Sequence, residues 1–218
     1  MIATSDLTYT YDGSTTKLTF PNLSCKPGKQ LLILGDSGSG KTTLLHLLCG
    51  LLRADSGEVV VKENPLSRLS ERELDNLRGQ ELGIVFQQSH FVQSLTVLEN
   101  LSLPNLLASG GLNSEELEAR IHELLGRLNV GHKAHSHPKS LSVGEQQRVS
   151  IARALIHKPS VVFADEPTSA LDDNSTEAVI SLLEEETKRA GAALIVVTHD
   201  SRLKSRYSDR IELKSNSK

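Results

Sequence analysis

The sequence predicts an α/β fold: a parallel sheet covered by helices, with a small antiparallel sheet beside it and a helical insertion. Three observations predict it. Short apolar runs end abruptly at turn or polar residues, amphipathic helical patterns alternate with them, and the first thirty residues instead carry turn-separated strand patterns. Leu31-Leu32-Ile33-Leu34 ends at Gly35, residues 82–86 end at Gln87, Val161-Val162-Phe163-Ala164 ends at Asp165, and residues 193–197 end at Thr198. Such unbroken runs read as strands buried on both faces, the habit of parallel sheets.

The remaining elements follow in chain order. Residues 6–11 and 17–24 read as strands, and 58–62 as another after the Asp55-Ser56-Gly57 turn, together an antiparallel sheet. Leu117, Ile121, Leu124, Leu125 and Leu128 recur at helical spacing behind Asn113 and Glu116, which resemble a capping box. A further helix runs from about Thr176 to Ala190 and stops at Gly191. Residues 1–218 are expected to form one domain, in which residues from about 89 to 153 make a mostly helical sub-domain between two sheet strands. The tail from Lys214 to Lys218 is expected to fray.

Composition removes several function classes. The formal net charge is -3 and no Lys/Arg stripe exists, so nucleic acid is not an expected partner. Cys25 and Cys49 are too few for a disulfide framework and lack metal-site spacing. The first residues lack a signal-peptide pattern, and the longest apolar stretch, 44–52, is too short to span a bilayer, so a cytosolic chain is expected.

Gly35-Asp36-Ser37-Gly38-Ser39-Gly40-Lys41-Thr42 matches the phosphate-loop pattern, with a strand before it and a helix, carrying Thr43, after it. The glycines let backbone N–H groups turn inward onto phosphate oxygens, and the helix start adds to this anion site. Lys41 is expected to reach the outer phosphates and the Thr42 hydroxyl to hold Mg²⁺. The strand ending at Asp165 places that carboxylate beside the loop as support for Mg²⁺, and Glu166 is expected to polarise the attacking water. A strand ending in Asp-Glu is, by itself, usually a solvated strand end. Following a phosphate loop on the same chain, it is a stronger signal.

Leu141-Ser142-Val143-Gly144-Glu145-Gln146-Gln147-Arg148 resembles the signature motif of the ATP-binding cassette (ABC) family, in place just upstream of Asp165-Glu166. The resemblance spans essentially the whole chain and implies a P-loop NTPase core that binds ATP with Mg²⁺. By that resemblance Gln87 contacts Mg²⁺ and senses a transmembrane partner. Ser169-Ala170-Leu171-Asp172 resembles the loop that crosses the dimer interface, and His199 resembles the switch histidine that contacts the γ-phosphate. Ser142 and Gly144, at a helix start, would meet the γ-phosphate of ATP held by a second copy, so the family implies a homodimer with two shared sites. Tyr11 resembles the aromatic that stacks on adenine, with Tyr9 as the alternative. The family usually has glycine where this chain has Val143; a helix start does not require a positive φ there.

Residues 66–70 leading to Leu77-Arg78, then 82–88 and 95–100, resemble one branch: the ATPases of lipoprotein-release, macrolide-efflux and cell-division (FtsE-like) systems. This branch implies a short, single-cassette subunit on the cytoplasmic face of the membrane, paired with an integral-membrane permease of few transmembrane helices. Residues 90–105 would help form the groove for that permease. Three other functions compete. A DNA-maintenance cassette needs long heptad coiled coils, which do not occur between Thr42 and Val161. A translation-acting protein would carry two cassettes and a basic linker. A non-hydrolysing regulatory module is opposed by the joint presence of Lys41, Asp165, Glu166 and His199. The triplet His132, His135 and His137 reads as a polar loop and not as a metal site.

Overall fold

The computed structural model describes residues 1–107, 111–168 and 173–214. Its centre is a five-stranded, all-parallel sheet of β4 (Gln30–Gly35), β7 (Leu82–Val85), β8 (Val161–Asp165), β9 (Ala193–Thr198) and β10 (Arg210–Leu213), in the order β10-β4-β9-β8-β7. The alternation of side chains along each strand explains why these runs are continuously apolar. Leu32, Leu34, Val162, Ala164, Leu194 and Val196 enter one hydrophobic cluster. Their neighbours Leu31, Ile33, Val161, Phe163, Ala193, Ile195 and Val197 enter the other, so both faces are buried.

One face packs on α1 (Lys41–Leu48), α2 (Glu71–Glu81) and an antiparallel sheet. That sheet contains β1 (Ile2–Thr10), β2 (Lys17–Thr19), β3 (Ser24–Cys25), β5 (Ser56–Val61) and β6 (Asn64–Pro65), in the order β2-β1-β5-β6 with β3 beside β1. The opposite face packs on α4 (Ser114–Arg127), α5 (Val143–Leu155) and α6 (Asp173–Ala190). Between β7 and β8, which pair directly, the chain makes α3 (Val97–Leu107), α4 and α5.

The local signals act largely as expected. Asn113 caps α4 by accepting the Glu116 N–H at 3.0 Å, which is half of a capping box. Gly191, at φ 69°, ends α6 in the left-handed conformation that glycine adopts freely. Three elements escape the pattern reading, the first being β6, a two-residue strand beside β5. The edge strand β10 is short and its sequence, Arg-Ile-Glu-Leu, alternates; among the described residues it pairs with β4 only. Helix α2 starts at Ser70, whose hydroxyl accepts the Glu73 N–H while Glu73 accepts the Ser70 N–H. The serine followed three residues later by glutamate was a readable start signal for α2.

Gly83 in β7 fixes how closely α5 lies on the sheet. A Cβ there would stand 2.3 Å from the Ala154 carbonyl oxygen, closer than any real contact. Gly83→Ala must therefore push α5 off β7, and urea unfolding should show a loss of about 1–3 kcal/mol.

Candidate functional site

Strands β4, β9 and β8 are neighbours, and their C-terminal ends open into a cleft of about 710 Å³. In an open parallel sheet this is where ligands bind. Asp36, Ser37, Gly38, Gly40, Lys41, Thr42 and Thr43 form one wall, and Gln87, Asp165, Glu166 and His199 face them. Tyr11 lies at the rim, 46% exposed. Gly35 ends β4 beneath the loop, and Ser39 is buried, its hydroxyl without a partner among the described residues.

The loop conformation depends on its glycines. Gly38 and Gly40 stand at φ 80° and 90°, where a side chain would strain the backbone. No side chain caps α1 at Gly40, so the first-turn N–H groups of that helix are left to an anion. Lys41 Nζ donates to the carbonyls of Gly35 at 2.7 Å and Asp36 at 3.0 Å, and lies 3.7 Å from Glu166 Oε1.

Glu166 is the most constrained residue of the cleft. Its φ is 46°, the left-handed region, which costs a non-glycine residue on the order of 1–3 kcal/mol. Its N–H donates to Val197 O at 2.8 Å, its Oε2 accepts from the Thr198 hydroxyl at 2.8 Å and from His199 N–H at 3.3 Å, and its Oε1 meets His199 Nδ1 at 2.9 Å. An ionised carboxylate only accepts, so Nδ1 carries the imidazole proton. Burial, followed by the like charge of Glu166, pushes the Asp165 carboxyl above its ordinary range, while His46 and Lys41 pull the other way.

Tyr11 has its hydroxyl 2.8 Å from Thr43 Oγ1, and its ring meets Tyr9 edge-to-face at 4.8 Å. Tyr9 packs on the core below and does not line the cleft. Pattern reading missed three lining residues, Ser14, Thr16 and Leu18, from the turn between β1 and β2 and the strand after it. Their types carry no chemical signature, and only the Asp12-Gly13 turn marked the place.

Ser142 and Gly144 stand apart from this cleft, at the start of α5. Ser142 caps the helix by accepting the Glu145 N–H at 3.3 Å, and Glu145 accepts the Ser142 N–H at 2.8 Å. The Ser142 amide is therefore engaged within the chain. Its hydroxyl proton and the first-turn amide of Gly144 remain to be donated. Val143 projects into solvent, 58% exposed. His132 lies against Glu145 at 3.3 Å and, with Lys133 at 3.6 Å, tethers the signature glutamate. Residues 169–172 lie outside the described residues, as do 215–218.

The family model described as "ABC transporter" matches residues 18–169, a span that contains the phosphate loop, Gln87, the signature segment and Asp165-Glu166. The chain belongs to the ABC transporter family. The cassette MJ0796, in a dimeric post-hydrolysis structure bound to ADP and phosphate, is 35% identical, with a TM-score of 0.86 over 99% of this chain and 95% of that one. A second dimeric structure of MJ0796, described as a bacterial ABC transporter cassette, gives the same figures. CbiO1 of Clostridium perfringens, part of the ABC transporter complex CbiONQ, is 29% identical, with a TM-score of 0.88 over 98% and 84%. The protein is thus an ATP-binding, ATP-hydrolysing ABC cassette. Among its described residues no helix is long and apolar enough to cross a membrane.

The cap at Ser142 has a pH signature. Hydrogen bonding from the Ser142 N–H holds the Glu145 carboxyl down at about 2, against an ordinary 4.5. A lowered carboxylate contributes stability above its unfolded pKa and loses it as pH falls through the folded one. The stability advantage of the native chain over Glu145→Gln should be constant above pH 4.5 and vanish between about 4.5 and 2 in melting curves.

Proposed function

We propose that this cassette is the energy-coupling subunit of a membrane complex, working as a homodimer whose two ATP sites are shared between copies. The observation that carries the reading is a separation. Lys41, Asp165, Glu166 and His199 line one cleft, while Ser142 and Gly144, the residues of the signature motif, do not line it. A second copy, related by a two-fold axis, supplies them most simply.

Within each half-site the loop residues Gly35, Asp36, Ser37, Gly38, Ser39, Gly40 and Thr43 wrap the phosphates of ATP, and Tyr11 offers its ring to the adenine. Lys41 exchanges its loop carbonyls for the outer phosphate oxygens. Thr42, Gln87 and Asp165 would hold Mg²⁺, and all three line the cleft. The buried Asp165 carboxyl, opposed by Glu166, suits a divalent cation that offsets its charge. A Mg²⁺ ion held there would supply charge neutralisation for the phosphate oxygens. Glu166 accepts the proton of the attacking water, and His199 orients Glu166 while facing the γ-phosphate.

A second groove of about 590 Å³, bordered by Arg78, His90, Val92, Leu103, Pro104 and Arg153, receives the permease. Val92 is 44% exposed there, and Leu106 nearby in sequence is 76% exposed, apolar area that a partner would cover. Arg153 donates to the carbonyls of Ser89 at 2.7 Å and His90 at 3.3 Å, holding this loop just after Gln87. The branch is that of lipoprotein release, macrolide efflux and division control, in which closure transmits force across the membrane. The cassette then sits on the cytoplasmic face of that membrane.

Glu166→Gln should accumulate as an ATP-bound dimer in size-exclusion chromatography and lose at least about a hundredfold in turnover. Affinity capture of that variant from solubilised host membranes, with ATP and Mg²⁺, should recover a permease with few transmembrane helices and a large outer domain. Recovery of soluble partners alone would overturn the membrane role. Ser142→Arg should abolish the ATP-dependent dimer while the monomer still binds ATP; loss of monomer binding would contradict the shared site.

A further inference from the structure

Thr198 ends β9, the strand beside the one that delivers Asp165. It is the only polar residue of that strand, Ala193-Leu194-Ile195-Val196-Val197-Thr198, and it is completely buried. Its hydroxyl makes two hydrogen bonds: it donates to Glu166 Oε2 at 2.8 Å and accepts the Asp200 N–H at 3.0 Å. A hydroxyl has one proton, and the carboxylate can only accept, so both directions are determined.

We infer that Thr198 is a positioning residue for ATP hydrolysis: it holds the Glu166 carboxylate at the angle from which it meets the attacking water. The inference rests on the reading of Glu166 as the base. The backbone of Glu166 sits at φ 46° and does not by itself settle where the side chain points. The Val197 carbonyl pins its N–H, and two groups grip Oε2: the Thr198 hydroxyl and the His199 N–H, the latter at a longer 3.3 Å. His199 holds the other oxygen, Oε1, but its side chain is 61% exposed, whereas Thr198 cannot move without disturbing the buried strand. Through Asp200, whose carboxylate is bound by Arg202 at 2.7 Å, the same hydroxyl also sets the turn that carries His199. One buried oxygen thereby fixes the base and the switch histidine relative to each other. An ordinary reading, a threonine merely satisfying a strand end, would account for the Asp200 bond but not for the bond to the carboxylate.

The test is steady-state turnover of the full chain carrying Thr198→Val, which keeps the shape and removes the hydroxyl. The expected result is a kcat lowered about tenfold to a hundredfold, with KM for ATP within about twofold. Thr198→Ser should restore kcat to within about threefold, since it returns the hydroxyl. Thr198→Val combined with Glu166→Gln should lose no more than Glu166→Gln alone, because the threonine acts through the carboxylate. Should Thr198→Val fail to fold, Thr198→Ala carries the same expectations. A normal kcat in Thr198→Val, a failure of serine to rescue, or a further loss in the double variant overturns the inference. If Glu166→Gln itself turns over normally, the base assignment fails and takes this one with it; normal turnover in the threonine variant beside an inactive Glu166→Gln overturns the threonine role alone.

Discussion

The cleft depends on the parallel register of three strands. β4 pairs with β9 so that Leu34 stands opposite Thr198, and β9 pairs with β8 so that Val197 stands opposite Asp165. One row across the sheet therefore holds the start of the phosphate loop, the threonine-histidine turn and the aspartate-glutamate pair. These groups are more than 100 residues apart in sequence at the extremes, yet no long side chain is needed to bring them together. Because side chains alternate along each strand and both faces are buried, a one-residue slip would exchange the two hydrophobic clusters entirely. The packing that stabilises the sheet is thus the packing that aligns the chemistry.

This explains which parts were legible. Continuous apolar runs announced four of the five parallel strands, because burial on both faces leaves no room for polar alternation. β10 was silent for the complementary reason: it lies at the edge, exposes Arg210 and Glu212, and offers only four residues. The phosphate loop was legible because positive φ at Gly38 and Gly40 demands a residue type that composition displays. The positive φ of Glu166 was not, since a glutamate there is held by partners remote in sequence, Val197 and Thr198. Leu18 and Thr16 escaped for a similar reason, as they contribute shape and carry no distinctive chemistry.

The constraints at Glu166 and Lys41 are mutually dependent. Lys41 is only 10% exposed at its side chain and satisfies its charge on two loop carbonyls and, at 3.7 Å, on Glu166. An ammonium so enclosed requires acceptors, and a phosphate group entering the cleft would provide stronger ones. Glu166, 12% exposed, would lose a favourable neighbour at the same moment, yet keeps its bonds to Thr198 and His199. Lys41 is thus held by backbone acceptors and Glu166 by a separate set of groups at the end of β9.

Helix α5 extends this logic away from the cleft. Its start is fixed by the reciprocal bonds of Ser142 and Glu145, and the glutamate is tethered in turn by His132 and Lys133. Near its other end Arg153 lies over the Phe91 ring at 4.9 Å and bonds the carbonyls of Ser89 and His90. Beside Arg153, Ala154 presses on Gly83 with no space for a methyl group. A 13-residue helix is about 20 Å long and does not stretch. Ser142 and the loop that follows Gln87 are thus attached to opposite ends of one rigid helix, each through individually assignable contacts.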